Sequence, residues 1–440
     1  MLLVSYKSSV MGELNKMAVV AFLTSASHVL AVENSLTWLG DSASDFEATA
    51  VSADGLVVIG YAANVPDNSG GEAGLTRMEG FRWTQSGGFL DLGNFRTSPG
   101  KEETLPLATS SDGSVIVGLA IISDSFPWAF RWTQGGGLTN MGICDNAHMA
   151  LSADGTVFVA TGFATITEGD VSREIERPFR ETSQGRTYLD PFPETLSSDR
   201  GVAEGVSADG SVIAGTWNGT TTFRWTAGGG MTNLGKLDGD VFSECAGISG
   251  DGKVVFGVSF GTRSRAFRWT AEAGMSALNL SSWFNSAASS ASLDGRVIVG
   301  SADGFPFIWD VTNGSRMLKE VLAEDYGLDV GGWRPNDQFL RISSDGRTII
   351  GNGDTKGPWI ARIGDVTIPR LKVTRQSGKI LIRWPVGARD WRLESVPSID
   401  ADLNGWTAIP GPYAVSGESF VATDSEGASG TFYRLRQGPF

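Results

Sequence analysis

Short apolar runs recur along the chain, broken by glycine, serine and aspartate. Residues 203–235 show the order most clearly: "AEGVS", an Asp-Gly step, "SVIAGTW", then "TFRWT", three glycines and "MTNLG". Runs this short, bounded by turn residues, predict β-strands. Asp-Gly between two of them predicts a type I′ hairpin, whose two central residues both need positive φ. The first run of each unit is small ("ATAVS", "PLATS", "HMALS", "AEGVS"), as strands converging on a common axis must be. The second ("VVIG", "VIVG", "VIAG", "VVFG") is apolar almost throughout, which predicts a strand buried on both faces.

The unit repeats. Its Ser-x-Asp-Gly step places aspartates at Asp54, Asp112, Asp154, Asp209, Asp251, Asp294 and Asp345, at intervals of 58, 42, 55, 42, 43 and 51 residues. An interval near 42, with four strands per unit, is that of a propeller blade. The run "SLTWLG" (35–40) matches the fourth strand of a unit, and the last unit stops after its third, "PWIARIG" (358–364). Together they complete one blade, and joining the first strand to the last unit leaves no open sheet edge. The expected fold is therefore all-β: a seven-bladed β-propeller with N-terminal strand closure over residues 32–365. An open β-solenoid is the alternative, and it needs no shared blade.

The units "AFRWTQGGGLTNMG" (129–142), "TFRWTAGGGMTNLG" (222–235) and "AFRWTAEAGMSALN" (266–279) resemble HAF repeats, a family of predicted extracellular repeat proteins. The resemblance covers about three quarters of the chain and implies export and a repeat fold, without a defined activity. It also implies that 317–333 is a helical insertion before the final unit. Two features depart from the pattern: Trp128 or Arg265 stands where the family has histidine, and "PFRETSQGRTYLD" (178–190) has no tryptophan.

Residues 366–440 alternate apolar and polar positions between Gly, Pro and Ser turns. They resemble a fibronectin type III-like or immunoglobulin-like β-sandwich, with Trp384 expected in its core. Residues 1–31 read as a signal peptide, with Lys7 and Lys16 ahead of or at the edge of an apolar stretch (17–31) and cleavage after Ala31. A secreted or cell-surface protein is expected, and no later stretch is apolar enough to span a bilayer.

Composition narrows the chemistry. The formal charge of −14 argues against nucleic acid and anionic lipid as partners. Cys144 and Cys245 lie in different units and are expected to be unlinked thiols, and only His28 and His148 supply imidazole. No cofactor or metal site is expected, and the seven aspartates are assigned to structural turns. The Arg-Trp pairs Arg82/Trp83, Arg131/Trp132, Arg224/Trp225 and Arg268/Trp269 are expected to frame the blades. Their aromatic side would pack on the next blade, and the arginine would pair with a carboxylate.

Length variation falls in segments 61–79, 94–104, 119–127, 163–177, 191–201 and 319–338, all expected on one side of the sheets; the opposite turns are short. Loops on a rigid scaffold are where binding usually resides. Candidates there are Trp128, Trp217, Trp283 and Trp333, with Asp67, Asp145, His148, Asp170, Glu174 and Asp240. Aromatics with carboxylates suit an extracellular glycan or a protein partner. A non-enzymatic binding role is the first expectation. A structural surface or matrix protein is the second, and a polysaccharide hydrolase or lyase, with Asp145 and Asp240 as candidate carboxylates, is the third.

Overall fold

A computed structural model describes residues 34–39, 46–66, 76–95, 102–122, 127–144, 148–168, 171–190, 192, 200–280, 285–331, 339–353, 357–364, 372–376, 379–385, 391–396, 407–411, 413–416, 419–425 and 432–437. Contacts divide the chain into two units, one of residues 34–322 and 328–363, the other including 364–440. Residues 1–31, Asp67, Asp145, Asp170, Trp283 and Trp333 lie outside the described residues.

The first unit is built of four-stranded antiparallel sheets, seven among the described residues. The first comprises Phe46–Val51, Val57–Pro66, Thr76–Thr84 and Gly88–Asp91, hydrogen-bonded in chain order. Five more follow this plan, the sixth ending at Gly314–Met317. The seventh has Arg341–Ile342, Thr348–Gly353 and Gly357–Arg362, and its fourth strand is Ser35–Trp38, with Leu36 opposite Ala361. A short helix, Leu318–Glu324, precedes the seventh sheet and buries Leu318, Val321 and Leu322.

Hydrogen bonds between the Ser-x-Asp-Gly turns run from sheet to sheet. The backbone N–H of Ala53 donates to Ser111 C=O (2.9 Å), Ser111 to Ala153 (2.8 Å), Ala153 to Ala208 (2.8 Å) and Ala208 to Gly250 (2.7 Å). Asp251 then donates to Leu293 (2.8 Å), Leu293 to Ser344 (2.8 Å), and Ser344 returns to Ala53 (3.1 Å).

The turns differ from the expected type I′ form. Gly55 has φ +70°, but none of the seven aspartates has positive φ. Each aspartate is an acceptor instead. The Ser52 hydroxyl donates to Asp54 (2.6 Å), Leu56 N–H donates to the same carboxylate (3.0 Å), and Val57 N–H donates to Ser52 Oγ (2.9 Å). Four residues, not two, separate Ser52 from Val57, and only the glycine takes the left-handed conformation.

The Phe-Arg-Trp-Thr strand is explained residue by residue. Phe130 lies over Gly118 of its own second strand, where any Cβ would collide with that ring and with the carbonyl of Leu105. Phe130 and Trp132 pack with Val57, Ile59 and Leu92, which belong to the preceding sheet rather than the next. The arginine faces the following sheet and binds a carbonyl, not a carboxylate. Arg82 Nε donates to Gly113 C=O (2.9 Å) and Arg131 Nη1 to Gly155 (2.7 Å); the Nε atoms of Arg180, Arg224 and Arg268 donate to Gly210 (3.1 Å), Gly252 (3.2 Å) and Gly295 (3.3 Å). The threonine hydroxyl caps the next turn, Thr133 accepting from Gly136 N–H at 3.1 Å. Guanidinium donors are always charged, so five buried or half-buried turn carbonyls gain charge-assisted bonds.

The second unit has two antiparallel sheets, one of Lys372–Gln376, Lys379–Pro385, Ser419–Ser425 and Ala414–Ser416, the other of Trp391–Val396, Thr407–Ala408 and Phe432–Gln437. Both contribute to one core: Ile382, Trp384 and Ala422 from the first, Leu393 and Tyr433 from the second.

Candidate functional site

The two ends of each sheet in the first unit differ. At one end lie the Ser-x-Asp-Gly turns and the glycine turns after the Phe-Arg-Trp-Thr strands, all short. At the other lie the longer connections. Part of that length is regular hairpin: Phe158–Glu168 pairs with Val171–Thr182 along its whole length, so 163–177 is mostly strand rather than loop.

The candidate residues do not form one site. Trp217 is a core residue, 2 % exposed, with the Arg177 guanidinium 4.8 Å from its ring centroid and Phe192 edge-on at 5.9 Å. It ends a second strand buried along its whole length, so it offers no stacking surface and is withdrawn as a binding residue. Asp240 is also committed: its carboxylate pairs with Arg265 at 2.9 Å and is 6 % exposed. That leaves it unsuited to act as a free catalytic carboxylate. Trp128 is half-buried at the start of a third strand, and Glu174 is exposed on the long hairpin.

His148 is the candidate with a partner. It stands at the start of the third sheet's first strand, and its Nδ1 lies 2.6 Å from Glu204 Oε2 in the fourth sheet. Glu204 occupies a β-bulge between Ala203 and Gly205, which turns its carboxylate toward the neighbouring first strands. Equivalent bulge positions carry Thr49 and Ser289, whose hydroxyls donate to Pro106 C=O (2.6 Å) and Leu340 C=O (3.0 Å) of the next sheet. The hydrogen bond that His148 donates to Glu204 pushes the His148 pKa up. Burial, then the charge of Glu204, pushes up the carboxyl of Glu244 in the fifth sheet. The Cys245 thiol is driven far up by the same two causes in the same order. Glu204 and Glu244 were not among the sequence candidates. A histidine and two carboxyls from three successive sheets therefore act on one another, His148 on Glu204 by contact and Glu204 on Glu244 by charge.

Exposed apolar side chains occur at both ends of the sheets: Leu56, Leu293 and Val311 at the short turns, and a second set at the long-connection end of the later sheets. Val241 (71 % exposed) precedes the fifth sheet, Phe305 (52 %) opens the third strand of the sixth and Phe339 (57 %) precedes the seventh. Phe242 and Phe260 stack at 4.6 Å across the fifth sheet's first two strands. Among the described residues no group of three His, Cys, Asp or Glu is placed to hold a metal ion, and no helix is long and apolar enough to cross a membrane.

No protein-family model matches the chain, and no curated protein matches it. Three solved structures are similar at low identity. The first is the crystal structure of TolB from Acinetobacter baumannii (14% identity, TM-score 0.37), covering 60% of this chain and 64%, less than two thirds, of that one. An oligogalacturonate lyase in complex with manganese has 12% identity and TM-score 0.46, covering 76% of this chain and 96% of that one. A chain of a mitotic checkpoint complex has 13% identity and TM-score 0.44, covering 81% of this chain and 99% of that one.

Proposed function

We propose that the first unit is a closed seven-bladed β-propeller of an exported, non-enzymatic protein that binds a protein partner at the long-connection end of its blades. The observation that carries the binding role is the gathering of Val241, Phe305 and Phe339 at that end of three successive sheets. Exposed apolar groups clustered on a rigid frame are typical of interaction surfaces. Closure is supported by the circuit of turn-to-turn hydrogen bonds that returns from Ser344 to Ala53, and by the pairing of Ser35–Trp38 with Gly357–Arg362. Export rests on the apolar leader at 17–31. The second unit serves as an attachment module. Its two antiparallel sheets share one core of Ile382, Trp384, Leu393 and Tyr433, which supports an immunoglobulin-like or fibronectin type III-like sandwich.

The test is cross-linking of the secreted chain to its native surface fraction, with mass-spectrometric mapping of the linked residues. A variant carrying Val241→Ser, Phe305→Ser and Phe339→Ser should lose the linked partner while keeping its melting temperature. The same partner linked equally to both proteins would sink the binding assignment, and links to saccharide alone would reassign the face to a glycan.

A second reading follows from Glu204 and Glu244. Two interacting carboxyls, one pushed up by burial, are the arrangement glycosidases use to keep one acid protonated beside one ionised. Turnover of a soluble polysaccharide that disappears in Glu244→Gln would move the protein into that class.

A further inference from the structure

An open cleft on the short-turn side lies between the third and fourth sheets. Its volume is about 420 Å³, and it is lined by Arg180, Ser211, Trp225, Thr226, Ala227 and Gly228. Clefts of this size with one aromatic wall and a few convergent polar groups are the usual form of a small-molecule site.

We propose that this cleft binds an acidic pyranoside, a sugar ring carrying a carboxylate. Trp225 is half-buried, packed against the cluster that includes Val157, Leu189 and Met231, and it also forms part of the cleft wall. An indole held this way can take the apolar face of a sugar ring. The Arg180 guanidinium is oriented by its Nε bond to Gly210 C=O at 3.1 Å. Among the described residues its two terminal nitrogens carry no hydrogen bond, and no carboxylate pairs with it. A fixed guanidinium with both terminal nitrogens open is suited to a carboxylate, which it binds through two parallel bonds. The Ser211 hydroxyl, donated to Asp209 at 2.8 Å, leaves its lone pairs for a sugar hydroxyl.

The groove where the first sheet meets the second carries the same residue types, Arg82, Ser114, Trp132, Thr133 and Gly135, but its tryptophan is buried, 5 % exposed, and offers no face to a ring. The other sister grooves lack the combination. Where the fourth sheet meets the fifth, Ser211 and Gly228 are replaced by Lys253 and Glu272. Where the fifth meets the sixth, the Arg268 guanidinium lies over the Trp309 ring at 5.6 Å and occupies the groove itself. Where the second meets the third, Glu181 stands in place of the tryptophan and is held by Arg186 at 2.8 Å. An accessible tryptophan beside the open guanidinium, and not the repeated motif alone, makes the site.

The experiment is calorimetric titration of the full chain with cellobiouronic acid and with cellobiose, its neutral counterpart. Cellobiouronic acid should bind at least tenfold more tightly. Gly228→Glu should weaken it by tenfold or more, because a carboxylate in the cleft wall repels that of the ligand. That variant should fold normally, since a side chain at 228 meets open space and Glu272 already occupies the equivalent position. Arg180→Gln should lose the preference for the acid, and Arg180→Lys should restore part of it. Equal binding of the two disaccharides, unchanged binding in Gly228→Glu and Arg180→Gln, or binding of neither disaccharide would overturn the proposal. None of these outcomes bears on the partner face formed by Val241, Phe305 and Phe339.

Discussion

Asn352 of the seventh sheet holds Ala48 of the first by both backbone groups: its side-chain oxygen accepts from Ala48 N–H at 2.8 Å, and its amide nitrogen donates to Ala48 C=O at 3.3 Å. Related second-strand positions use Thr161, which accepts from Ala203 N–H (3.3 Å), and Thr216, which accepts from Cys245 N–H (3.0 Å). Each covers a backbone donor beside a bulge, where the ladder leaves it unpaired. Only asparagine satisfies donor and acceptor together.

Asn352→Ala should therefore be costly. It leaves a buried N–H and a C=O without partners, a loss of about 2–3 kcal/mol. Thr216→Val should cost about half as much, since one donor is orphaned. Urea denaturation of the two variants, compared at constant m-value, checks the ranking; equal midpoints would refute it.

Gly118→Ala should destabilise far beyond the usual cost of a surface substitution. The new methyl would meet the Leu105 carbonyl and the Phe130 ring, and backbone cannot yield without opening the bulge. Overpacking of this kind costs about 1–3 kcal/mol or more. Gly135→Ala, in the exposed turn with nothing near its Cβ, is the control and should change the melting temperature by only a degree or two. A paired Phe130→Leu with Gly118→Ala should recover part of the loss if the ring is one source of the clash.

How far the sequence could be read depends on which interactions are local. The placement of Ser35–Trp38 beside Gly357–Arg362 was legible because "SLTWLG" copies a fourth strand and the last unit lacks one. The two faces of Phe-Arg-Trp-Thr were legible from period-two alternation. Alternation does not say which neighbour each face meets, so the aromatic side was assigned to the wrong sheet and the arginine to the wrong acceptor. The Asp-Gly pair signalled a hairpin but not its length, because the serine two residues earlier competes for the turn by capping Val57. Trp217 closes the apolar run "SVIAGTW" yet was counted with the loop-face aromatics; it is buried with that strand. Glu204 was hidden by the bulge at Ala203–Gly205, which breaks the alternation that would have placed it, and its partner His148 lies in another unit.

Acid stability should depend on the turn aspartates. Hydrogen bonds from Ser114, backbone and side chain, and from Ser110 hold Asp112 down at about 2, and bonds from Ser207 and Ser211 do the same for Asp209. Bonds from Ser152 and Thr156 lower Asp154. A carboxyl whose folded pKa lies below its unfolded value contributes stability above the unfolded value, near 3.8, and loses it as pH falls through the folded one, near 2. The aspartates are largely solvent-exposed, so each contributes at most about 1 kcal/mol after screening. Asp209→Asn should be less stable than the parent at pH 6, and the gap should narrow between pH 4 and pH 2. A gap that stays constant across that range would show that the charge is irrelevant.

The His148–Glu204–Glu244 group should give two pH dependences of different shape. The His148 pKa is raised by its bond to Glu204, so its contribution is full below the unfolded value near 6.5 and is lost as pH rises through the higher folded value. The parent should exceed His148→Gln in stability at pH 5.5, and the difference should shrink as pH rises above 6.5. Glu244 acts in the opposite sense on the wild type. Burial and the neighbouring Glu204 raise its folded pKa above the ordinary 4.5, so the folded state is penalised as pH climbs from that value to the raised one. Glu244→Gln removes the penalty and should be the more stable protein at pH 7.5, by less than about 1 kcal/mol because the group is half-exposed. At pH 4, where both states hold the proton, the two proteins should unfold together. Because Glu204 links the two groups, Glu204→Gln should remove the stability that His148 protonation brings, leaving burial to pull that pKa down, and should weaken the dependence of Glu244. Denaturation midpoints for the four proteins at pH 4, 5.5, 7.5 and 9 test the whole scheme, and a His148 dependence that keeps its sign in Glu204→Gln would break it.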